Sequence, residues 1–166
     1  NPVTPSTEVS IAIGVVGNNT AKGSYDVEIT TMANSGTEID EGTTPNFSIA
    51  PGALHHFSVV TSGNATAGAN FLVTMTAQDF YNNTVTSFSG QATLNDKTGA
   101  MSPIISGAFS NGARSENVTF TKSHSNNQVT VTYDNKSGNS ALFNVLPSTL
   151  DHFTFDTFSS PKTAGT

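Results

Sequence analysis

The sequence predicts an all-β chain built from an antiparallel sandwich unit repeated in tandem, and three observations carry that expectation. Apolar and polar residues alternate at period two in short runs, which turns one side-chain set towards a core and the other towards water. Clusters of Gly, Asn, Ser and Asp punctuate those runs, and no window shows helical spacing. A stretch near one end also returns near the other. "NFSIAPGALHHFSV" (46 to 59) recurs as "LFNVLPSTLDHFTF" (142 to 155), pairing Phe47 with Phe143, Pro51 with Pro147, Leu54 with Leu150, His56 with His152 and Phe57 with Phe153, each pair 96 positions apart. A fixed period of this size marks a repeated structural unit. "TAG" at 66 to 68 returns at 163 to 165, now 97 apart, which indicates one inserted residue in the loop between.

One copy, 53 to 148, is complete. Phe57 and Val59 open its first strand; Phe71, Val73, Met75 and Ala77 form the second. Val118 and Phe120 sit on a later strand, Val129, Val131 and Tyr133 on the next with Tyr133 at core parity, and Ala141, Phe143 and Val145 end the copy. Turn formers lie between them: Ser62-Gly63-Asn64, Tyr81-Asn82-Asn83, Asn111-Gly112, Ser125-Asn126-Asn127 and Lys136-Ser137-Gly138-Asn139. About seven strands in two antiparallel layers would bury one face of each.

The flanks are partial. "EVSIAIGVV" (8 to 16), "YDVEITT" (25 to 31) and "NFSIA" (46 to 50) align with the last three strands of the complete copy, so 1 to 52 reads as the C-terminal half of a preceding unit, or as an open domain completed by a neighbour. Residues 149 to 166 supply the first strand of a following unit, bearing Phe153, Phe155 and Phe158. Burying each ring is worth about 1.5 to 3 kcal/mol, so that strand calls for cover. Either flanking repeats of a longer array provide it, or the strand is donated to the open sheet of a neighbouring subunit. The two ends together fall about 26 residues short of a full copy, which counts against simple complementation.

Two stretches carry a family resemblance. "TAGANFLVTMTAQDFYNNTVTSFSGQATL" and "ENVTFTKSHSNNQVTVTYDNKSGNSALFNVLPSTLDHF" resemble the tandem immunoglobulin-like repeats of large bacterial and archaeal cell-surface proteins. The pattern of those repeats runs T-A-G-x-x-F-x-V-T-V-T-A-x-D-x-x-G-N-T-V-x-x-Y-x-G, then T-F-T-K, then F-x-V-x-P-x-x-L-x-x-F. The chain departs from it at Asn82, where the family has glycine, and at Phe88, where it has tyrosine; asparagine accepts the left-handed backbone that such a corner needs. The resemblance implies immunoglobulin-like antiparallel β-sandwich repeats and a structural, extracellular role at a cell surface, as part of a filament, a surface layer or an adhesin stalk. The partners it implies are neighbouring copies of the chain or adjacent repeats. It is nearly silent on ligands, because such folds host many functions. The linkers "APGALHHF" and "LPSTLDHF" contain Pro51 and Pro147, which fix φ and imply a semi-rigid rod.

Composition agrees with that setting. The 166 residues include no Cys and no Trp, and only 11 % are charged, with a formal net charge of −6. Ser, Thr, Asn and Gly supply the polarity instead, a balance common in extracellular repeat proteins. Nucleic acid is not an expected partner, since Lys22, Lys97, Arg114, Lys122, Lys136 and Lys162 are scattered rather than clustered. No disulfide scaffold exists without cysteine, and no stretch approaches the roughly 18 apolar residues of a membrane span. The start at Asn1-Pro2 reads as that of a mature or excised piece.

Four groups of residues are candidates for chemistry. Asp79, with the carboxamides of Asn82 and Asn83, could offer oxygens to calcium; the alternative is an Asx-type cap of a strand-end turn. In "TEIDEGTT", Glu38, Asp40 and Glu41 beside Gly42, with Asp26 and Glu28 upstream, would converge on calcium if that loop folds back. No other cofactor is expected. The neighbours His55 and His56, on a strand, would face opposite ways and not chelate one ion, and His124 stands alone in a loop. No G-x-S-x-G nucleophile turn is present, so no enzyme activity is expected. Six N-x-S/T sequons occur, at Asn18, Asn46, Asn64, Asn82, Asn117 and Asn135, where composition alone would give about five. Asn117 should face outward if Val118 faces in, and Asn18, Asn64, Asn82 and Asn135 lie in expected loops, where a glycan is tolerated. The alternative function is an accessory or carbohydrate-binding module of a secreted polysaccharide-active enzyme, with a glycan as partner and Tyr81 beside Phe80 as the contact for sugar stacking.

Overall fold

The computed structural model describes residues 20 to 150, together with 152 and 154. Every regular element among them is a strand. Phe153, Phe155, Phe158, Asn18 and the strand expected over 8 to 16 lie outside the described residues.

Two regions differ in construction. The first, 20 to 50, is a two-stranded ribbon. β1 (Gly23–Tyr25) pairs with β4 (Phe47–Ile49), and nested between them β2 (Glu28–Met32) pairs with β3 (Glu38–Thr43), both antiparallel. Gly36, at φ 78°, closes the tip with its N–H on the Ala33 carbonyl, a backbone conformation that glycine enters without a Cβ clash. Tyr25 and Phe47 touch across the ribbon at 6.3 Å between ring centres. Met32 and Ile39 are exposed, as expected of a ribbon with no second layer among the described residues.

The second region packs its sheets around one core, an arrangement compatible with a β-sandwich. One layer has the order β5 (His56–Thr61), β7 (Phe71–Gln78), β10 (Ala113–Phe120), β9 (Met101–Ser102). Its inward residues Phe57, Val59, Phe71, Val73, Met75, Ala77, Val118 and Phe120 are all buried, matching the period-two reading position by position. The opposing layer joins two three-stranded groups. β8 (Thr93–Asp96), β12 (Val129–Tyr133) and β13 (Lys136–Asn139) form one; β11 (His124–Asn127), β14 (Phe143–Leu146) and β6 (Ala65–Thr66) form the other. β11 and β12 are successive halves of one run, as are β13 and β14, so the two groups share a single kinked hairpin. Ser140 holds the kink: its hydroxyl accepts the Val129 N–H at 3.1 Å and donates to the Ala141 carbonyl. Leu94, Val129, Val131, Phe143 and Val145 meet the first layer in one continuous core.

Aromatic rings close both ends of that core. Phe71, Phe120 and Phe143 pack at 5.0 to 5.8 Å at one end, and Phe57, Phe88 and Phe109 at 5.0 to 5.7 Å at the other. Such contacts add about 0.5 to 1.5 kcal/mol per pair beyond area burial.

Four expectations shift. The turn expected over 136 to 139 falls earlier, at Asp134 and Asn135 with φ of 41° and 57°. That is the left-handed pair of a two-residue hairpin, and 136 to 139 are strand. There Gly138 lies so close to β5 that a Cβ would overlap the Phe57 carbonyl. Residues 125 to 127, expected as a turn, belong to β11, because His124 and Asn127 pair with Val145 and Phe143 around an irregularity. Tyr133 keeps an inward-leaning ring, 4.9 Å from Phe88, yet is 40 % exposed because it ends the strand at the hairpin mouth. Ala141, also placed in the core from its parity, is exposed beside the Ser140 kink. One pair, β14 with β6, is parallel, in an otherwise antiparallel set.

Candidate functional site at the corner after β7

The chain leaves β7 at Gln78 and turns through 79 to 83. Asn82 takes φ 67°, the left-handed conformation that asparagine tolerates. Asp79 organises the turn. It is 2 % exposed, and its Oδ1 accepts the backbone N–H groups of Tyr81 at 2.9 Å and Asn83 at 2.8 Å. Its Oδ2 accepts the N–H of Gly52 at 2.8 Å, a residue of the linker that enters the sandwich. Asn83 Nδ2 adds contacts to both carboxylate oxygens, at 3.2 and 3.0 Å. Burial alone would raise the Asp79 carboxyl, but the donors from Gly52, Asn83 and Tyr81 outweigh it and hold the group below its ordinary value.

Asn83 also reaches the ribbon. Its Nδ2 donates to the Thr20 carbonyl at 2.7 Å, and its Oδ1 accepts the Lys22 N–H at 3.0 Å. The corner therefore grips main-chain atoms at both ends of the ribbon, before β1 and after β4. Sequence reasoning placed the Asx turn but missed all three long-range partners. Nothing local in 79 to 83 signals Gly52, Thr20 or Lys22, which are 27 to 63 positions away.

The other candidates fall differently. The "TEIDEGTT" segment is strand β3 rather than a loop, so Asp40 and Glu41 alternate across it, and Asp40 Oδ1 accepts the Glu41 N–H at 2.9 Å. Asp79 lies at the far corner with its oxygens taken by N–H donors. Among the described residues no group of three His, Asp or Glu side chains is placed to hold a metal ion. His55 and His56 do not point apart: their Nδ1 atoms are 3.2 Å from each other, because β5 begins only at His56 and strand alternation does not reach His55.

The sequon asparagines are at the surface where described. Asn117 points out from β10 beside fully buried Val118. Asn46, Asn82 and Asn135 are exposed in turns or just ahead of a strand, and Asn64 uses its Oδ1 to accept the Asn144 N–H at 2.9 Å.

Two polar clusters, one buried and one half-buried, escaped the sequence reading. Asp96 accepts from Thr98 Oγ1 at 2.6 Å, Ala100 N at 3.1 Å and Asn127 Nδ2 at 3.1 Å, while Asn127 Oδ1 accepts the Lys97 N–H. Desolvation raises the Asp96 carboxyl, but these donors lower it further. Arg114 and Glu116, at core parity on β10, pair at 2.8 Å, and Glu116 accepts the Gly107 N–H. Desolvation opposes, yet the Gly107 N–H and the Arg114 guanidinium hold Glu116 below its ordinary value.

Neither a family model nor a curated protein matches the sequence.

Proposed function

We propose that the chain is a structural module of an extracellular repeat protein, immunoglobulin-like in its sandwich, that extends or assembles a cell-surface filament, surface layer or stalk. The observation that carries the reading is a contrast within one repeated motif. Phe143 opens a covered strand, whereas its repeat mate Phe47 sits on a ribbon strand that has one neighbour among the described residues and is 43 % exposed. A two-stranded ribbon bearing exposed Met32, Ile39 and Phe47 is marginal alone, and further strands alongside it would complete a second sandwich. The pairing order supports the immunoglobulin-like reading. Counting β11/β12 and β13/β14 as single strands and leaving out the short β6, the first, second, fifth and fourth strands share one layer and the third, sixth and seventh the other, the ABED/CFG arrangement of such domains.

Strand addition between subunits is the assembly mode proposed. Light scattering on the purified chain over a hundredfold concentration range tests it: association should grow with concentration, and a monomer throughout removes strand addition. Electron micrographs of native material test the wider role, with regular fibres, sheets or stalks expected.

A second reading, a carbohydrate-binding module of a secreted enzyme, draws on Phe80 and Tyr81. Both are exposed at the corner, with His55 5.1 Å from Phe80. Their rings stand at 89° to each other, so they offer edges as much as a flat stacking platform. Glycan-array binding that disappears in Tyr81→Ala would favour this reading; an array without signal removes it.

A further inference from the structure

We infer that the 79 to 83 corner is a docking surface for the extended main chain of the preceding unit, with Asn83 acting as a substitute strand and Asp79 as the latch on the linker. The inference deepens the array reading and rests on it for naming the docked segment a neighbouring unit; the contact itself stands on geometry.

Asn83 bonds to the carbonyl of residue 20 and the N–H of residue 22. A residue of a parallel strand makes the same pair of bonds around the residue it faces, here Ala21. A carboxamide carries the donor and acceptor of a peptide group, so one side chain reproduces one rung of a ladder where no strand exists. The second Nδ2 hydrogen rests on the Asp79 carboxylate, which orients the amide, and the charged acceptor strengthens that bond. Asp79 in turn holds Gly52 N, three residues beyond the end of β4. The ribbon is thus pinned at entry and at exit by two side chains of one turn.

Every ribbon atom involved is main chain. The surface should therefore tolerate any side chain at 20 and 22 but not the loss of an N–H at 22, and it fits any neighbour that presents an extended segment there. This is how one corner could join units of differing sequence along an array.

Amide hydrogen exchange on the full chain tests the inference with three variants. Asn83→Ala should accelerate exchange at the Lys22 amide about tenfold or more, the loss of one protecting hydrogen bond, with Val73 and Val118 unchanged. Lys22→Ala should behave as the parent. Lys22→Pro, which removes the donor without touching the sandwich, should accelerate exchange in β1, β4 and at Gly52. A Lys22 amide that exchanges at the parent rate in Asn83→Ala overturns the inference. Should Asn83→Ala also loosen Val73 and Val118, the proline variant decides, and parent-like rates at Gly52 and β4 in it overturn the inference. Light scattering reports separately: a protected Lys22 amide in a chain that never associates would defeat assembly by strand addition and leave the docking contact standing.

Discussion

Phe47 and Phe143 occupy the same place in two copies of one motif, F-x-[IV] followed by proline, yet one is 43 % and the other 5 % exposed. Each sits on a strand with alternating character, so local sequence does not separate them. Neighbours do. Among the described residues β4 has only β1 beside it, whereas β14 lies between β11 and β6 and faces a second layer through Phe71 and Phe120. A strand's alternation decides which face is apolar; the count of strands and layers around it decides whether that face leaves water.

The sharpest test of that contrast is truncation at the two mates. Phe143→Ala should lower stability by about 3 to 5 kcal/mol, the usual cost of emptying a packed aromatic site, read from a urea midpoint. Phe47→Ala should cost under about 1 kcal/mol. Equal costs would mean that the ribbon is covered in solution, and the contrast would vanish.

A smaller effect is expected where the sandwich layers touch. Gly138→Ala pushes a methyl into the Phe57 carbonyl and should cost about 1 to 3 kcal/mol by overpacking. Gly42→Ala, on the ribbon, meets nothing within 4 Å and should be close to neutral in the same assay.

Acid should act on the sandwich through Asp79, Asp96 and Glu116, whose folded values lie below their ordinary ones against the opposing pull of desolvation. In acid the unfolded chain therefore binds more protons than the folded one. Stability should be flat from pH 7 to about 5, then fall as pH drops through the ordinary carboxylate range near about 4 and below. Denaturation midpoints measured across this range check it, and Asp96→Asn should make the decline shallower. An unchanged midpoint down to pH 2 would remove these carboxylates from the account.

The smallest effect is expected on the exposed face of the ribbon. Ile39→Ser should change stability by less than about 0.5 kcal/mol in the isolated chain, and weaken association if units assemble through that face.

Much of the sandwich was legible. Phe57, Val59, Phe71, Val73, Met75, Ala77, Val118, Phe120, Val129, Val131, Phe143 and Val145 were all assigned to the core from alternation alone, and all are buried. The left-handed corner at Asn82 and the tight turn at Asn111-Gly112, with φ of 49° and 75°, were likewise readable, since few residue types accept positive φ. The hairpin near 134 was not. Asp134-Asn135 and the 136 to 139 stretch are both good turn formers, and the β12–β13 pairing, with Gly138 seated close to Phe57, places the turn at the first. The acidic segment misled for a related reason: Glu38, Asp40 and Glu41 look like a loop by composition, but pairing with β2 draws them into a strand.

By itself the sequence determined the all-β character, the inward residues of the sandwich strands and the recurrence of one motif at 96 positions, because side-chain period and backbone permissiveness are local properties. Tertiary structure decided the partners: Gly52, Thr20 and Lys22 on the Asp79 and Asn83 side chains, Asn127 on Asp96, and, among the described residues, cover for Phe143 but not for Phe47. Hydrogen bonds and burial across tens of residues depend on which surfaces folding brings together, and that is a property of the whole arrangement rather than of any one segment.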